Sequence, residues 1–212
     1  MSTAQSVLKS GATLAVIAAI CTALVAATYQ LTVDRIVENE IAALEKELQP
    51  ALAGLVYDSD VIESKLVISP PHDLPGSGAA IIYRVYEGTE PVAALFVVTA
   101  RDGFSGPIRI LLGVDASGVV TGIRIVHHRE TPGLGDKIDS TRSDWVHQFA
   151  GRSLLDPVMT SWAIRRDGGE FDQLTGASIT PRAVVNAMRD TLIYFDAHRD
   201  AIFAAPASGD GT

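Results

Sequence analysis

An uncharged, strongly apolar stretch near the N-terminus is the first pattern along this chain. No Asp, Glu, Lys or Arg occurs from Ser10 to Val33. The centre of the stretch, Gly11–Leu31, would be about 31 Å long as a helix, which is enough to cross the hydrocarbon core of a bilayer. We therefore predict a transmembrane helix over residues 10–33, preceded by a short N-terminal segment, residues 1–9.

A cleaved signal peptide is the alternative interpretation of this stretch. Val25, Ala26 and Ala27 resemble the small residues of a cleavage site. The apolar stretch is, however, longer than the roughly 7–15 residues of a typical signal-peptide hydrophobic region. Its length therefore favours an anchor that is retained.

The segment that follows has the spacing of an amphipathic helix. Between Thr32 and Leu48, apolar residues recur every three or four positions and glutamates occupy the positions between them. Gln49-Pro50 is expected to end this helix. We therefore predict a helical connector over residues 34–50.

Runs of β-branched and aromatic residues then predict two β-hairpins. The first joins Ala80–Tyr86 to Val92–Thr99 across a turn at residues 87–90. The second joins Ile108–Val114 to Val119–His127 across a turn at residues 115–118. Residues 61–75 contain three prolines and are expected to be irregular.

The remaining pattern predicts a fifth strand and two helices. The strand is expected over Met159–Ile164 and a short helix over Trp145–Phe149. The long helix is expected over Pro181–His198, with one apolar side made of Val184, Val185, Met188, Leu192 and Phe195. These elements predict an α+β domain with a mostly antiparallel sheet over residues 51–203. A disordered tail, residues 204–212, is expected to follow.

Charge separates the chain into two parts. The formal net charge is −8, from 17 Lys and Arg against 25 Asp and Glu. Lys9 is the only charged residue before Asp34, so every acidic residue follows the apolar stretch. This asymmetry predicts a cytoplasmic N-terminus and an acidic domain on the other side of the membrane. The acidic balance argues against nucleic-acid binding, which needs a basic face.

The cysteine count restricts the redox chemistry. The chain has one cysteine, Cys21, and it lies within the apolar stretch. One thiolate cannot hold an iron–sulfur cluster or form an internal disulfide. The adjacent His127 and His128 would point to opposite faces of a strand, so we expect no metal site there. Any redox centre in this chain is therefore expected to be a bound organic cofactor or a metal with ligands other than cysteine.

Residues 128–138, HRETPGLGDKI, form the first segment with unusual chemistry. Gly133 and Gly135 surround a single leucine, Leu134, directly after a predicted strand. Glycine permits close approach of the backbone to a ligand, and a leucine held on a turn could lie against a flat ring. A plain turn is the alternative.

Residues 171–182, FDQLTGASITPR, form the second segment. Thr180 followed by Pro181 predicts the start of a helix, with Thr180 as the N-cap. Thr175, Gly176 and Ser178 come just before it, where free N–H groups and the helix dipole favour an anion such as phosphate. Simple capping by Ser178 and Thr180 is the alternative. The nearby pair Arg165-Arg166 is interpreted as a solvated strand end.

The two segments together, in this order, resemble the FMN-binding domain of the G subunit of the Rnf electron-transport complex. They are also similar to the C subunit of the sodium-pumping NADH:quinone oxidoreductase. The resemblance implies covalent FMN, attached by a phosphoester to the last hydroxyl of the [S/T]-G-A-[T/S] motif. That residue is Ser178 here, where the family usually has Thr. A serine hydroxyl can form the same ester, and Thr175 and Thr180 are the alternative acceptors.

The resemblance also implies the remaining site residues. Asp172 corresponds to the acidic residue that opens the motif and is expected to be recognised by a flavin transferase. The motif supplies a cofactor-binding set made of Thr175, Gly176, Ala177, Ser178, Ile179 and Thr180. The other loop is expected to border the isoalloxazine ring through Glu130, Thr131, Gly133, Leu134, Gly135 and Lys137.

The function implied by the resemblance is electron transfer within a membrane complex. The chain would be a single-pass component of the bacterial inner membrane, with a periplasmic FMN domain and no catalytic residue of its own. Its complex would couple ferredoxin and NAD oxidoreduction to ion movement, with other iron–sulfur and flavin subunits as partners. Two alternatives stay open: a flavin subunit of the sodium-pumping quinone reductase, or a flavin-free membrane-tethered binding module.

Overall fold

A five-stranded antiparallel sheet is the centre of the computed structural model. The structure describes residues 11, 14–19, 21–23, 46, 48–52 and 54–204. The strands are β1 (Lys65–Ile68), β2 (Ala80–Glu87), β3 (Glu90–Ala100), β4 (Ile108–Asp115) and β5 (Val120–His127). Each strand pairs with the next in the chain, so their order in the sheet is the order in the sequence. The α+β class with an antiparallel sheet is therefore confirmed.

Both predicted hairpins are present. Residues Glu87 and Glu90 face each other at the first turn, and Gly88 has a φ of 60°. A positive φ at the first central residue is typical of the type II′ turn, which glycine forms without strain. At the second turn, the Asp115 carboxylate accepts hydrogen bonds from the backbone N–H groups of Ser117 and Val119.

The C-terminal helix α1, Ile179–Phe203, covers one face of this sheet and contacts β3 and β4. Phe195 packs edge-on against Phe96, with ring centroids 6.1 Å apart. The predicted apolar side of the helix is confirmed, since all five residues of that side are buried: Val184, Val185, Met188, Leu192 and Phe195. Burying this stripe removes the largest apolar surface of the helix from water.

A short 3-10 helix, η1 (Gln49–Ala51), packs against strands β4 and β5. The Thr121 hydroxyl donates a 2.6 Å hydrogen bond to the carbonyl of Ala51. A Cβ at Gly113 would come within 2.6 Å of that same carbonyl oxygen. Glycine in β4 therefore allows this backbone to lie directly on the sheet.

A long excursion between β5 and α1 carries both unusual segments. It contains four 3-10 helices: η2 (Gly135–Ile138), η3 (Asp144–Phe149), η4 (Met159–Ser161) and η5 (Arg165–Asp167). The short helix predicted at residues 145–149 is thus confirmed. Aromatic side chains hold the excursion together, because Phe171 lies 4.8 Å from Phe149 and 4.7 Å from Trp162 between ring centroids.

Two strand predictions are wrong. Met159–Ile164 is not a strand, because it forms η4 and then turns inward to bury Trp162 and Ile164. The Trp162 indole N–H donates to the carbonyls of Ser153 and Pro157, which holds this segment in a compact loop. The fifth strand is β1, within the proline-containing stretch expected to be irregular. It is a short edge strand, the position in a sheet that tolerates nearby prolines.

The N-terminal predictions lie largely outside the described residues. Of the span predicted over residues 10–33, the described positions 11, 14–19 and 21–23 are helical and exposed. Within the described part of the chain, no helix has both the length and the apolar character needed to cross a membrane. Residues from Glu45 onward form one compact unit, and Met1–Leu44 form another. The predicted tail lies outside the described residues except for Ala204.

Candidate functional site

The two unusual segments meet at the start of helix α1 and line one cavity of about 150 Å³. A third stretch, the loop between β3 and β4, completes its wall. The lining residues are Phe104, Glu130, Thr131, Leu134, Gly135, Gly176, Ala177, Ser178, Ile179 and Thr180. Nine of the thirteen residues predicted for the site are therefore in one place.

Glu130 joins the three stretches beneath the cavity. Its side chain is buried, with only 4% of the residue exposed. One carboxylate oxygen accepts a 3.0 Å hydrogen bond from the backbone N–H of Ser105, and the other accepts a hydrogen bond from the Thr180 hydroxyl. Because a buried carboxylate is costly unless it is hydrogen-bonded, these two donors explain how Glu130 is tolerated there.

Two glycines allow the segments to approach this closely. A Cβ at Gly135 would lie 2.8 Å from the Thr180 hydroxyl and 2.9 Å from the Glu130 carboxylate. A Cβ at Gly176, whose φ is 82°, would lie 3.1 Å from Leu134 Cδ2. A side chain at Gly135 would displace Thr180 or Glu130, and one at Gly176 would be strained by the positive φ and would press on Leu134. The cavity therefore requires the glycines that make both segments conspicuous in the sequence.

Ser178 is the N-cap residue of α1, yet its hydroxyl does not cap the helix. The Ser178 oxygen instead accepts a 3.2 Å hydrogen bond from the guanidinium of Arg166. The interpretation of Ser178 as a simple capping residue is therefore wrong. Its side chain is half-buried at the positive end of a 25-residue helix, where negative charge is stabilised.

Thr180 is not the N-cap that the sequence predicted. Helix α1 begins at Ile179, so Thr180 and Pro181 lie inside its first turn. Thr180 is 1% exposed, and its hydroxyl is used by the hydrogen bond to Glu130. A residue so placed offers no free hydroxyl, which makes it a poor acceptor for a covalent group.

Four predicted site residues do not line the cavity. Gly133 forms the turn before Leu134, with a φ of 78°. Lys137 is half-buried, and its carbonyl accepts from Ser143. Thr175 is exposed, and exposed Asp172 forms a 3.1 Å ion pair with Arg165. These residues can shape or present the two segments without contacting a ligand in the cavity.

Two further residues of this region are not among those predicted from the sequence. Phe104 is 66% exposed and lies with Leu134, 43% exposed, at the cavity. Phe104 lies in the segment Gly103–Gly106, which repeats the pattern of one apolar residue between glycines, so a signal for it exists. The interpretation of Arg166 as part of a solvated strand end is wrong, because it lies in the 3-10 helix η5. Its contact with Ser178 depends on how the intervening residues fold back, so no local pattern in the sequence indicates it.

An ion pair connects η5 to the first turn of α1. Asp167 and Arg182 form two hydrogen bonds, of 2.6 and 2.9 Å. The hydrogen bond from Arg182 is the main reason that the pKa of Asp167 lies below its usual value of 3.8, and the positive charge of Arg182 lowers this pKa further. Asp167 therefore keeps its negative charge at a lower pH than an isolated aspartate would.

Replacing Asp167 by asparagine is expected to lower the melting temperature at pH 7. A carboxyl group whose pKa is depressed on folding stabilises the folded state above its unfolded pKa of 3.8. This stabilisation is lost as the pH falls through the lower folded value. The difference in melting temperature between wild type and D167N should therefore shrink below pH 3.8. The exposed control D200N should have the melting temperature of wild type at pH 7 and also below pH 3.8. A difference that persists at low pH would contradict this assignment.

The matched family model covers the part of the chain that contains this cavity. A family model described as the FMN-binding domain matches residues 103–193, a range that contains every lining residue. The chain therefore carries a flavin-binding domain of the FMN-binding class. A second model, described as the RnfG N-terminal region, matches residues 1–50.

Full-length relatives identify the family. The G subunit of the ion-translocating oxidoreductase complex of Shewanella loihica is 39% identical over 204 residues, which are 96% of each chain. The corresponding protein of Cronobacter sakazakii is 42% identical over 207 residues, covering 97% of this chain and 98% of the relative. The chain belongs to the family of G subunits of ion-translocating oxidoreductase complexes, as the resemblance in the sequence indicated. A crystal structure of Shewanella oneidensis NqrC is 19% identical, with a TM-score of 0.45, and covers 70% of this chain and 76% of that chain.

Proposed function

We propose that this chain is a membrane-anchored electron carrier whose FMN is esterified to Ser178. One observation carries the proposal. The cavity combines the Ser178 hydroxyl, which does not cap helix α1, with two exposed apolar side chains, Phe104 and Leu134. A phosphate at Ser178 would be stabilised by the helix dipole. A flat ring could lie against the apolar pair.

The size of the cavity supports a covalent attachment. Its volume of about 150 Å³ is smaller than the roughly 300–1,000 Å³ of sites that enclose a ligand. A flavin in this site would keep much of its ring outside the protein. Little apolar surface would then be buried, so the affinity without a covalent bond would be low. An ester bond at Ser178 would retain the cofactor despite this shallow site.

The exposed position suits a carrier. FMN, when bound, supplies the capacity to accept and release electrons. The contribution of this chain is to hold the phosphate at Ser178 and to orient the ring with Leu134 and Phe104. Because the chain has a single cysteine, Cys21, its electron donors and acceptors belong to other subunits. Iron–sulfur and flavin subunits of the complex are the proposed partners.

The proposed location is the bacterial inner membrane. The uncharged stretch Gly11–Leu31 supports a single membrane span, and Lys9 supports a cytoplasmic N-terminus. The FMN domain would then face the periplasm. A covalent bond has a clear advantage there, because a dissociated flavin would be lost from the cell envelope. A flavin transferase is required to form the bond.

Expression of the full chain with a flavin transferase tests this function. After denaturing electrophoresis, ultraviolet light should show a fluorescent band at the position of the chain. The band survives denaturation only if the flavin is covalently bound. A purified chain with no fluorescent band and no visible colour would overturn the proposal and support the flavin-free binding module.

Substitution of Leu134 or Phe104 by serine is expected to loosen the tethered ring. Each substitution removes one apolar contact on which the ring would rest, so the fluorescence anisotropy of the bound flavin should fall. The decrease should be largest in the double variant. Leu155→Ser is the matched control, because Leu155 is 87% exposed and does not line the cavity. Equal anisotropy in wild type and all of these variants would refute the placement of the ring.

A further inference from the structure

Arg166 places a positive charge directly at the proposed attachment point. Its Nη1 donates a 3.2 Å hydrogen bond to the Ser178 Oγ. Arg166 is exposed, so this contact does not result from burial. A long side chain on a surface loses rotamer entropy when it is held in one geometry. The position of Arg166 is therefore set by the contacts of the neighbouring residues.

The backbone of Arg166 is fixed against the motif by contacts on both sides. The Arg166 N–H donates a 3.1 Å hydrogen bond to the side-chain oxygen of Gln173. Before it, Arg165 pairs with Asp172 at 3.1 Å. After it, Asp167 pairs with Arg182 in the first turn of α1. The η5 turn is thus attached to the segment that carries Ser178 at three successive residues.

Of the three nearby arginines, one has no hydrogen bond or close ion pair with a carboxylate in the described part of the chain, although its charge helps to lower the pKa of the adjacent Asp167. Arg165 and Arg182 each form an ion pair with an aspartate. Among the described residues, the Arg166 guanidinium forms no ion pair with a carboxylate, and only the Ser178 oxygen accepts its hydrogen bond. A guanidinium presents several N–H donors in a planar fork that matches phosphate oxygens.

We propose that Arg166 binds the phosphate of the flavin attached to Ser178 and speeds its attachment. This inference rests on the proposed function. In the attachment step, the Ser178 oxygen bonds to the flavin phosphorus, and the phosphoanhydride bond of a flavin dinucleotide donor breaks. A nucleoside monophosphate leaves, and the serine proton passes to a base of the transferase. Arg166 stabilises the negative charge on the phosphate during the step and in the resulting diester.

The test uses the purified full chain, a purified flavin transferase and a flavin dinucleotide. The initial rate of appearance of the fluorescent band is compared among wild type, Arg166→Gln and Arg166→Lys. Loss of a charge-assisted hydrogen bond should slow Arg166→Gln by about tenfold. Arg166→Lys keeps the charge and should fall between the two. Arg189→Gln is the control for loss of an arginine charge elsewhere, since Arg189 pairs with Asp190 and lies about 16 Å along the helix from Ser178.

The ³¹P resonance of the loaded chain provides a second readout. Contact with the guanidinium should give the wild-type diester a chemical shift that changes in the Arg166 variants and not in Arg189→Gln. A wild-type rate in Arg166→Gln would overturn the inference. A slow rate with an unchanged resonance would also overturn it, because Arg166 would then act on the transferase. If the wild-type chain itself is not labelled, the proposed function fails first.

Discussion

Replacing Ser178 with alanine should abolish covalent flavin incorporation. Three hydroxyls line the cavity, those of Thr131, Ser178 and Thr180. Only the Ser178 hydroxyl both lies at the start of helix α1 and is free of a hydrogen bond that holds the fold together. Thr131 also lines the cavity but belongs to the other segment, and Thr180 is buried against Glu130. Without the Ser178 oxygen, no ester can form. The fluorescent band on a denaturing gel should disappear completely in S178A.

Two further variants make this result specific. Ser178→Thr keeps the hydroxyl and should keep the band. Thr175→Ala removes the exposed neighbouring hydroxyl, which does not line the cavity, and should label like wild type. A band that survives in S178A would show that another residue is the acceptor. Loss of the band in T175A alone would move the assignment to Thr175.

Replacing Glu130 with alanine should lower the free energy of unfolding by about 3 kcal/mol. Glu130 accepts hydrogen bonds from Ser105 N–H and the Thr180 hydroxyl, and all three residues lie close to the cavity. The alanine variant would leave both donors without this acceptor and would open a space next to Gly135. Chemical denaturation, monitored by tryptophan fluorescence, measures the change.

A double-mutant cycle separates this hydrogen bond from general damage. Glu130→Ala and Thr180→Val should be non-additive, with a coupling of roughly 1–3 kcal/mol, because they remove the two ends of one interaction. Exposed Glu170→Ala is the control and should change stability by less than about 0.5 kcal/mol. Additive effects would show that Glu130 does not act through Thr180. A stability like wild type in E130A would contradict the role of Glu130 in joining the three stretches.

Local patterns account for the parts of the fold that the sequence predicted. The two hairpins are specified by runs of β-branched and aromatic residues and by short turns, as at Gly88, so each is determined by adjacent residues. The long helix is specified by its apolar stripe, of which Val184 and Phe195 are buried members. The cavity could be anticipated because Gly135 and Gly176 stand out in their segments.

Contacts between distant residues account for the parts that could not be predicted. The run Met159–Ile164 has strand-like composition, but burial of Trp162 among aromatic residues determines its conformation. The start of α1 differs from the predicted one because the Thr180 hydroxyl binds Glu130, fifty residues earlier, rather than capping the helix. The contact of Arg166 with Ser178 likewise depends on the fold of the η5 turn. In each case a tertiary contact overrides the local propensity of the sequence.

Peptide mass spectrometry of the flavin-loaded chain tests the central claim most directly. The full chain is purified from cells that contain a flavin transferase, digested, and its peptides are sequenced by fragmentation. The account predicts one modified peptide whose mass is increased by one FMN less one water, with the increment on Ser178. An unmodified peptide containing Ser178, or an increment on Thr175 or Thr180, would contradict it.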